Sequence, residues 1–291
     1  MIRKKLYLCV IAISIVVLST SLVACALTNT VPATADNTAP TVSSTNSNAT
    51  AVILATTSTS IDTSITNTPE GEPTTASEPQ GFLAVPQNGP GPGVLVLHAW
   101  WGLNDTTKGF CQQLADAGFT AFAPDLYHGK VADTISEAER LSNALSANRL
   151  QARDEIAQAA AFLKEYTGQA DDGLAVMGFS MGANYALDLA TTDTEDIRAV
   201  VLFYGTGSSN FSRSKAAYLG HFAENDPYES PANVNKLEQA LQSAKLPVTF
   251  YRYPGVGHWF MEPDRSDAYA PQSARLAWDR TIDFLRHYLS K

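Results

Sequence analysis

From residue 81 onward, apolar runs of strand length alternate with stretches whose apolar residues recur at helical spacing, which predicts a mostly parallel sheet with helices on its faces. Val94-Leu95-Val96-Leu97 is apolar at every position, as a strand covered on both sides must be. Further strands are expected at 119–123, 174–177, 199–204, 218–223 and 248–253. Between them the spacing predicts a helix over 106–117 closed by Gly118, one or two helices over 135–166, and a small-residue helix over 183–190. A last helix over 271–289 places Trp278, Ile282, Leu285 and Leu289 on one stripe, which reads as core.

Residues 1–80 break this pattern. Residues 1–25 open with Arg3, Lys4 and Lys5, continue through an apolar stretch, and end in Leu22-Val23-Ala24-Cys25. That segment resembles a bacterial lipoprotein signal, and the resemblance implies lipid on Cys25 and anchoring to the outer face of a cytoplasmic membrane. An uncleaved membrane anchor is the alternative, because the apolar stretch approaches bilayer-spanning length; both readings export the rest of the chain. Residues 26–80 are dominated by Thr, Ser, Ala, Asn and Pro, so they bury too little apolar surface to offset the entropy of ordering. They are expected to form a disordered stalk, leaving 81–291 as one α/β domain.

A formal net charge of −9 without a basic cluster argues against nucleic acid as a partner. Of the three cysteines, Cys9 lies in the signal and Cys25 ends it, so Cys111 has no disulfide partner within the domain and reads as a small core residue. No zinc or EF-hand spacing occurs, and no metal is expected.

Gly178-Phe179-Ser180-Met181-Gly182 carries the chemistry. A Gly-x-Ser-x-Gly pentapeptide between a buried strand and a small-residue helix reads as a nucleophile elbow, in which glycine flanks relieve backbone collisions at a sharp turn. A serine hydroxyl needs a base, and His258 lies in the glycine-rich loop 255–260 after the last strand. His221, inside a strand, and His287, near the end of the last helix, read as structural. Asp226, in Glu224-Asn225-Asp226-Pro227, is the candidate acid, with Glu224 as runner-up. The order Ser180, Asp226, His258 is that of α/β-hydrolases. Backbone N–H groups of Met181 and Trp100 are the expected oxyanion donors, Trp100 having an aromatic lid as its other possible role.

These residues resemble the dienelactone hydrolase family of α/β-hydrolases across 81–291. The segments that carry the likeness are 81–86, Leu97-His98-Ala99-Trp100-Trp101-Gly102-Leu103-Asn104, Ala123-Pro124-Asp125-Leu126-Tyr127, the elbow, 221–226 and Gly257-His258-Trp259-Phe260. The resemblance implies an α/β-hydrolase fold, a monomeric catalytic domain without cofactor, and Asp226 and His258 as acid and base. Three positions depart from the family's pattern. Ser180 stands where those enzymes use a cysteine, Ala99 where they carry a glutamate, and Glu262 where an arginine holds the substrate carboxylate. With Trp101, Tyr127, Phe179, Trp259 and Phe260 expected at the pocket, the reading is a serine hydrolase for a neutral ester or lactone, Glu262 repelling an anionic one. A peptidase or amidase of the same fold, or a non-catalytic envelope-binding lipoprotein, are the alternatives.

Overall fold

The computed structural model describes residues 78–168, 173–207 and 210–289. The 1–25 signal, with Cys25, and stalk residues 26–77 lie outside the described residues.

Seven strands make one sheet in the order β1-β3-β2-β4-β5-β6-β7. These are β1 (Gly81–Ala84), β2 (Gly93–Leu97), β3 (Thr120–Pro124), β4 (Leu174–Phe179), β5 (Ile197–Phe203), β6 (Ala217–Ala223) and β7 (Val248–Tyr253). All neighbours pair in parallel except β1, which runs antiparallel to β3 at one edge. The hydrophobic pattern does not predict β1, whose four residues are too few and too exposed to show a period. Six strands are where the pattern predicts them, and β2, β3 and β4 are buried at every position. β4 runs two residues past its expected end because Gly178 and Phe179 pair with Leu202 and Phe203 of β5. The strand therefore delivers Ser180 directly into the turn.

The helices are α1 (Asp105–Asp116), α2 (Ile135–Ala147), α3 (Arg149–Thr167), α4 (Met181–Thr192), α5 (Pro231–Ser243) and α6 (Pro271–Leu289). The 135–166 region is two helices, divided at Asn148. Nothing in the sequence reading predicts α5, although Ser230 caps it, Pro231 sits in its first turn, and Val234, Leu237 and Leu241 form its buried stripe.

On one face of the sheet, Phe110 of α1 stacks on Phe179 at 4.6 Å and on Trp278 of α6 at 5.7 Å. On the other, α3 covers β2 and β3, and α4 covers β4 and β5. Cys111 is wholly buried on α1, and burial pushes its thiol up to about 12, so it is the inert core residue its helical setting predicts. His221 is structural as well. Its ring nitrogens pair with the Tyr253 hydroxyl at 2.8 Å and Thr281 Oγ1 at 3.0 Å, and burial lowers it to about 3. A neutral imidazole thus ties β6 to β7 and α6.

Candidate active site

Ser180 occupies the junction of β4 and α4 with φ 50° and ψ −112°, a conformation that costs a residue with a Cβ on the order of 1–3 kcal/mol. Its neighbours explain the glycines. A Cβ at Gly178 would lie 2.4 Å from the Gly182 carbonyl oxygen, and one at Gly182 would lie 2.2 Å from that of Leu97. A Cβ at Gly205, just past β5, would lie 2.3 Å from the Ser180 carbonyl oxygen. The Gly-x-Ser-x-Gly spacing is therefore a packing requirement of three backbones meeting at the ends of β2, β4 and β5.

The Ser180 hydroxyl lies 2.8 Å from His258 Nε2. On the far side of the ring, Nδ1 lies 2.7 Å and 2.9 Å from the two Asp226 carboxylate oxygens. A carboxylate only accepts, so Nδ1 carries the hydrogen and Nε2 is left as the acceptor facing the serine O–H. The His258 and Asp226 side chains are 4% and 2% exposed. Backbone N–H groups of Tyr228 and Glu229 each donate to Asp226 Oδ1 at 2.9 Å, so the acid is fixed by its own turn as well as by the imidazole. Glu224, the runner-up acid, is exposed and accepts from the Gly255 N–H at 3.0 Å, outside this chain of contacts. Ser180, His258 and Asp226 are thus brought together from the carboxyl ends of β4, β7 and β6, where open α/β sheets assemble their sites.

Met181 is the first residue of α4, and its N–H points out of the helix's own bonding. Among the described residues, neither it nor the Trp100 N–H donates to another backbone carbonyl. The Met181 sulfur accepts from the Tyr127 hydroxyl at 3.4 Å and from Ser142 Oγ of α2 at 3.3 Å. Tyr127 is buried, and that burial raises its hydroxyl well above the usual range.

The expected aromatic pocket is only partly present. Trp100 and Trp259 are half-buried and stack 5.9 Å apart, and Trp101 lies against both at 5.5 and 5.4 Å. Trp101 itself is buried beneath the Arg265 guanidinium, which sits 3.7 Å above its ring. Phe179 and Phe260 are core residues rather than pocket walls. Phe179 is stacked between Phe110 and Phe203 at 4.6 Å each, because alternation along β4 turns it away from the serine's side, and Phe260 is wholly buried against Tyr204 and Tyr253. Tyr228, which the sequence reading does not single out, lies 5.1 Å from the His258 ring and 5.0 Å from Trp259 while half exposed. Its position two residues after Asp226 was the available signal.

Glu262 also requires correction. It is buried, accepts a hydrogen bond from the Tyr204 hydroxyl at 2.8 Å, and is raised to about 8 by burial. At neutral pH it is therefore largely uncharged and does not repel an anionic substrate. A hollow between α2 and α3, lined by Tyr127, Leu141, Leu145 and Gln151, includes neither Ser180 nor His258 in its wall.

Comparison with known proteins agrees with the geometry. The model of the Dienelactone hydrolase family matches residues 80–289. Protein usf of Aquifex pyrophilus is 34% identical over 218 residues, which cover 72% of this chain and 94% of that protein. A candidate carboxymethylenebutenolidase of Aquifex aeolicus is 32% identical over 217 residues, again 72% and 94% of the two chains. The crystal structure of a candidate dienelactone hydrolase from Klebsiella pneumoniae superposes with a TM-score of 0.63 at 23% identity, covering 72% of this chain and 92% of that one. With the sheet, the elbow and a family match spanning the whole described body, this chain belongs to the dienelactone hydrolase family and is a hydrolase.

Proposed function

We propose that the protein cleaves a carboxylic ester or lactone through an acyl-enzyme on Ser180, with His258 as base and Asp226 as the acid that orients it. The observation that carries this reading is the unbroken hydrogen-bond path from Ser180 Oγ through His258 to Asp226 at 2.7–2.9 Å. His258 Nε2 takes the Ser180 proton as Oγ attacks the carbonyl carbon, and the oxyanion forms at the Met181 and Trp100 N–H groups. The imidazolium returns that proton to the departing alkoxide as the C–O bond breaks. A water then gives a proton to Nε2 and attacks the acyl carbon, and as the bond from that carbon to Oγ breaks the imidazolium returns the proton to Oγ, releasing the acid and restoring Ser180. No cofactor enters this cycle, and the domain acts as a monomer.

The aromatic rings of Trp259 and Tyr228 beside His258, with Trp100 packed on both, support a neutral, apolar substrate, and they replace Glu262 as the reason for that preference. A fluorophosphonate serine-hydrolase probe should label the full-length chain, and Ser180→Ala should abolish both labelling and turnover of a neutral aryl ester while the protein stays folded. Unchanged labelling of Ser180→Ala would place the nucleophile elsewhere. Faster turnover of an anionic lactone than of a neutral ester of similar size would overturn the substrate class.

Export is part of the same reading, supported by the basic start, apolar stretch and Leu22-Val23-Ala24-Cys25 of the sequence. Growth with a labelled fatty acid should label the wild-type chain and leave Cys25→Ser unlabelled and shed from the membrane. Equal labelling of the two would refute lipidation at that cysteine.

A further inference from the structure

The mechanism above leaves one buried ionisable residue near the imidazole without a task. Glu262 is 3% exposed, forms no ion pair among the described residues, and meets the Tyr204 hydroxyl at 2.8 Å. Tyr204 is wholly buried at the end of β5 and holds φ at 39°, which a residue with a Cβ adopts only when its surroundings impose it. Its N–H donates to the His221 carbonyl at 2.8 Å, and its ring centre lies 4.8 Å from that of His258. Glu262 belongs to the histidine's own loop, its N–H donating to the Trp259 carbonyl at 2.8 Å. The tyrosine hydroxyl therefore grips this loop at 262 while the tyrosine ring bears on the imidazole four residues earlier.

The hydrogen bonds at Nδ1 and Nε2 leave the imidazole free to rock about the line joining those atoms, and only contacts on its faces oppose that motion. Tyr228 supplies one such contact from the exposed side of the site, at 5.1 Å. We propose that Tyr204 and Glu262 form a positioning pair that braces His258 from within the protein, keeping Nε2 aligned on Ser180; this rests on Ser180, His258 and Asp226 acting as proposed. An apolar pair would fill the same space without desolvating polar groups, so what the hydrogen bond adds is direction. The groups facing Glu262 are Tyr204 from the end of β5 and Asp264 and Arg265 from its own loop, and Arg265 is already engaged over Trp101 and with Asp264 at 3.1 Å. The pair is thus a neutral one, and glutamine should serve in place of the acid.

The test is the rate of fluorophosphonate labelling and of ester turnover in the full-length chain. Tyr204→Phe should lower kcat about ten- to a hundredfold with KM nearly unchanged, the penalty of a misaligned base, whereas Glu262→Gln should stay close to wild type. In Tyr204→Phe with Glu262→Met the buried polar group is gone, so thermal stability should return while kcat stays low. Recovery of both stability and kcat in that double variant, or wild-type kcat in Glu262→Met alone, would show that the pair serves only packing and overturn the proposal. Absence of labelling in the wild-type chain would instead remove the triad reading on which it rests.

Discussion

Ser180 and Glu262 are each held in a state that an isolated residue would avoid, and each has an identifiable physical cause. The serine's positive φ is imposed by three glycines whose missing side chains let backbones approach. The glutamic acid's protonation is imposed by burial, which outweighs the Tyr204 hydrogen bond and the nearby Arg265, and it has a consequence for stability. Its folded-state value of about 8 lies above its ordinary value of 4.5, so the folded protein holds a proton that the unfolded chain releases between those pH values. The contribution is full below about pH 4.5 and is lost as pH rises through about 8, amounting to the order of a few kcal/mol. Glu262→Gln should therefore leave Tm near the wild-type value at pH 5 and raise it progressively toward pH 8. A constant difference in Tm between the two proteins across that range would mean that Glu262 is ionised in the folded state.

At the scale of elements, what the sequence made legible was what local patterning controls. Continuous apolar runs located six strands, and the elbow, the Asp226 turn and the His258 loop were identifiable because each couples chemistry-bearing residues to strand ends. The misreadings at Phe179, Phe260 and Glu262 have a common cause: proximity in sequence to Ser180 or His258 does not say which way a side chain points. Alternation along β4 sent Phe179 to the α1 face, and the turn after His258 carried Phe260 and Glu262 inward. Tyr204 and Tyr228 come from other strand ends, so their approach to the imidazole depends on the assembled sheet. The same assembly joins helix α5 to the site, since its cap Ser230 directly follows the Asp226 turn. Ser230 Oγ accepts from the Asn233 N–H at 3.2 Å. Ser230→Ala should cost about 1 kcal/mol of stability, read in a denaturant melt, with little change in labelling of Ser180. A labelling rate that collapses along with the cap would mean that α5 sets the Asp226 geometry.

For the whole molecule, the described body from residue 78 onward carries a complete path from nucleophile to acid, with residues 1–77 outside the described structure. Export, if the N-terminal pattern acts as proposed, takes that body out of the reducing cytoplasm. Family relatives that rely on a thiolate nucleophile face a chemical hazard in such a place, because peroxide converts thiolates to sulfenic and higher acids. Here the hydroxyl of Ser180 has no such chemistry, and the only cysteine of the described residues, Cys111, is buried with its thiol held protonated to about pH 12. Iodoacetamide should leave the rate of ester turnover unchanged, because Cys111 is buried, and a dose-dependent loss would mean that this thiol is accessible and coupled to activity. With Ser180 acting as proposed, sulfur is exchanged for oxygen at the reacting atom, and the oxidisable sulfur nearest the chemistry becomes the half-buried thioether of Met181, whose sulfoxide a reductase can reverse.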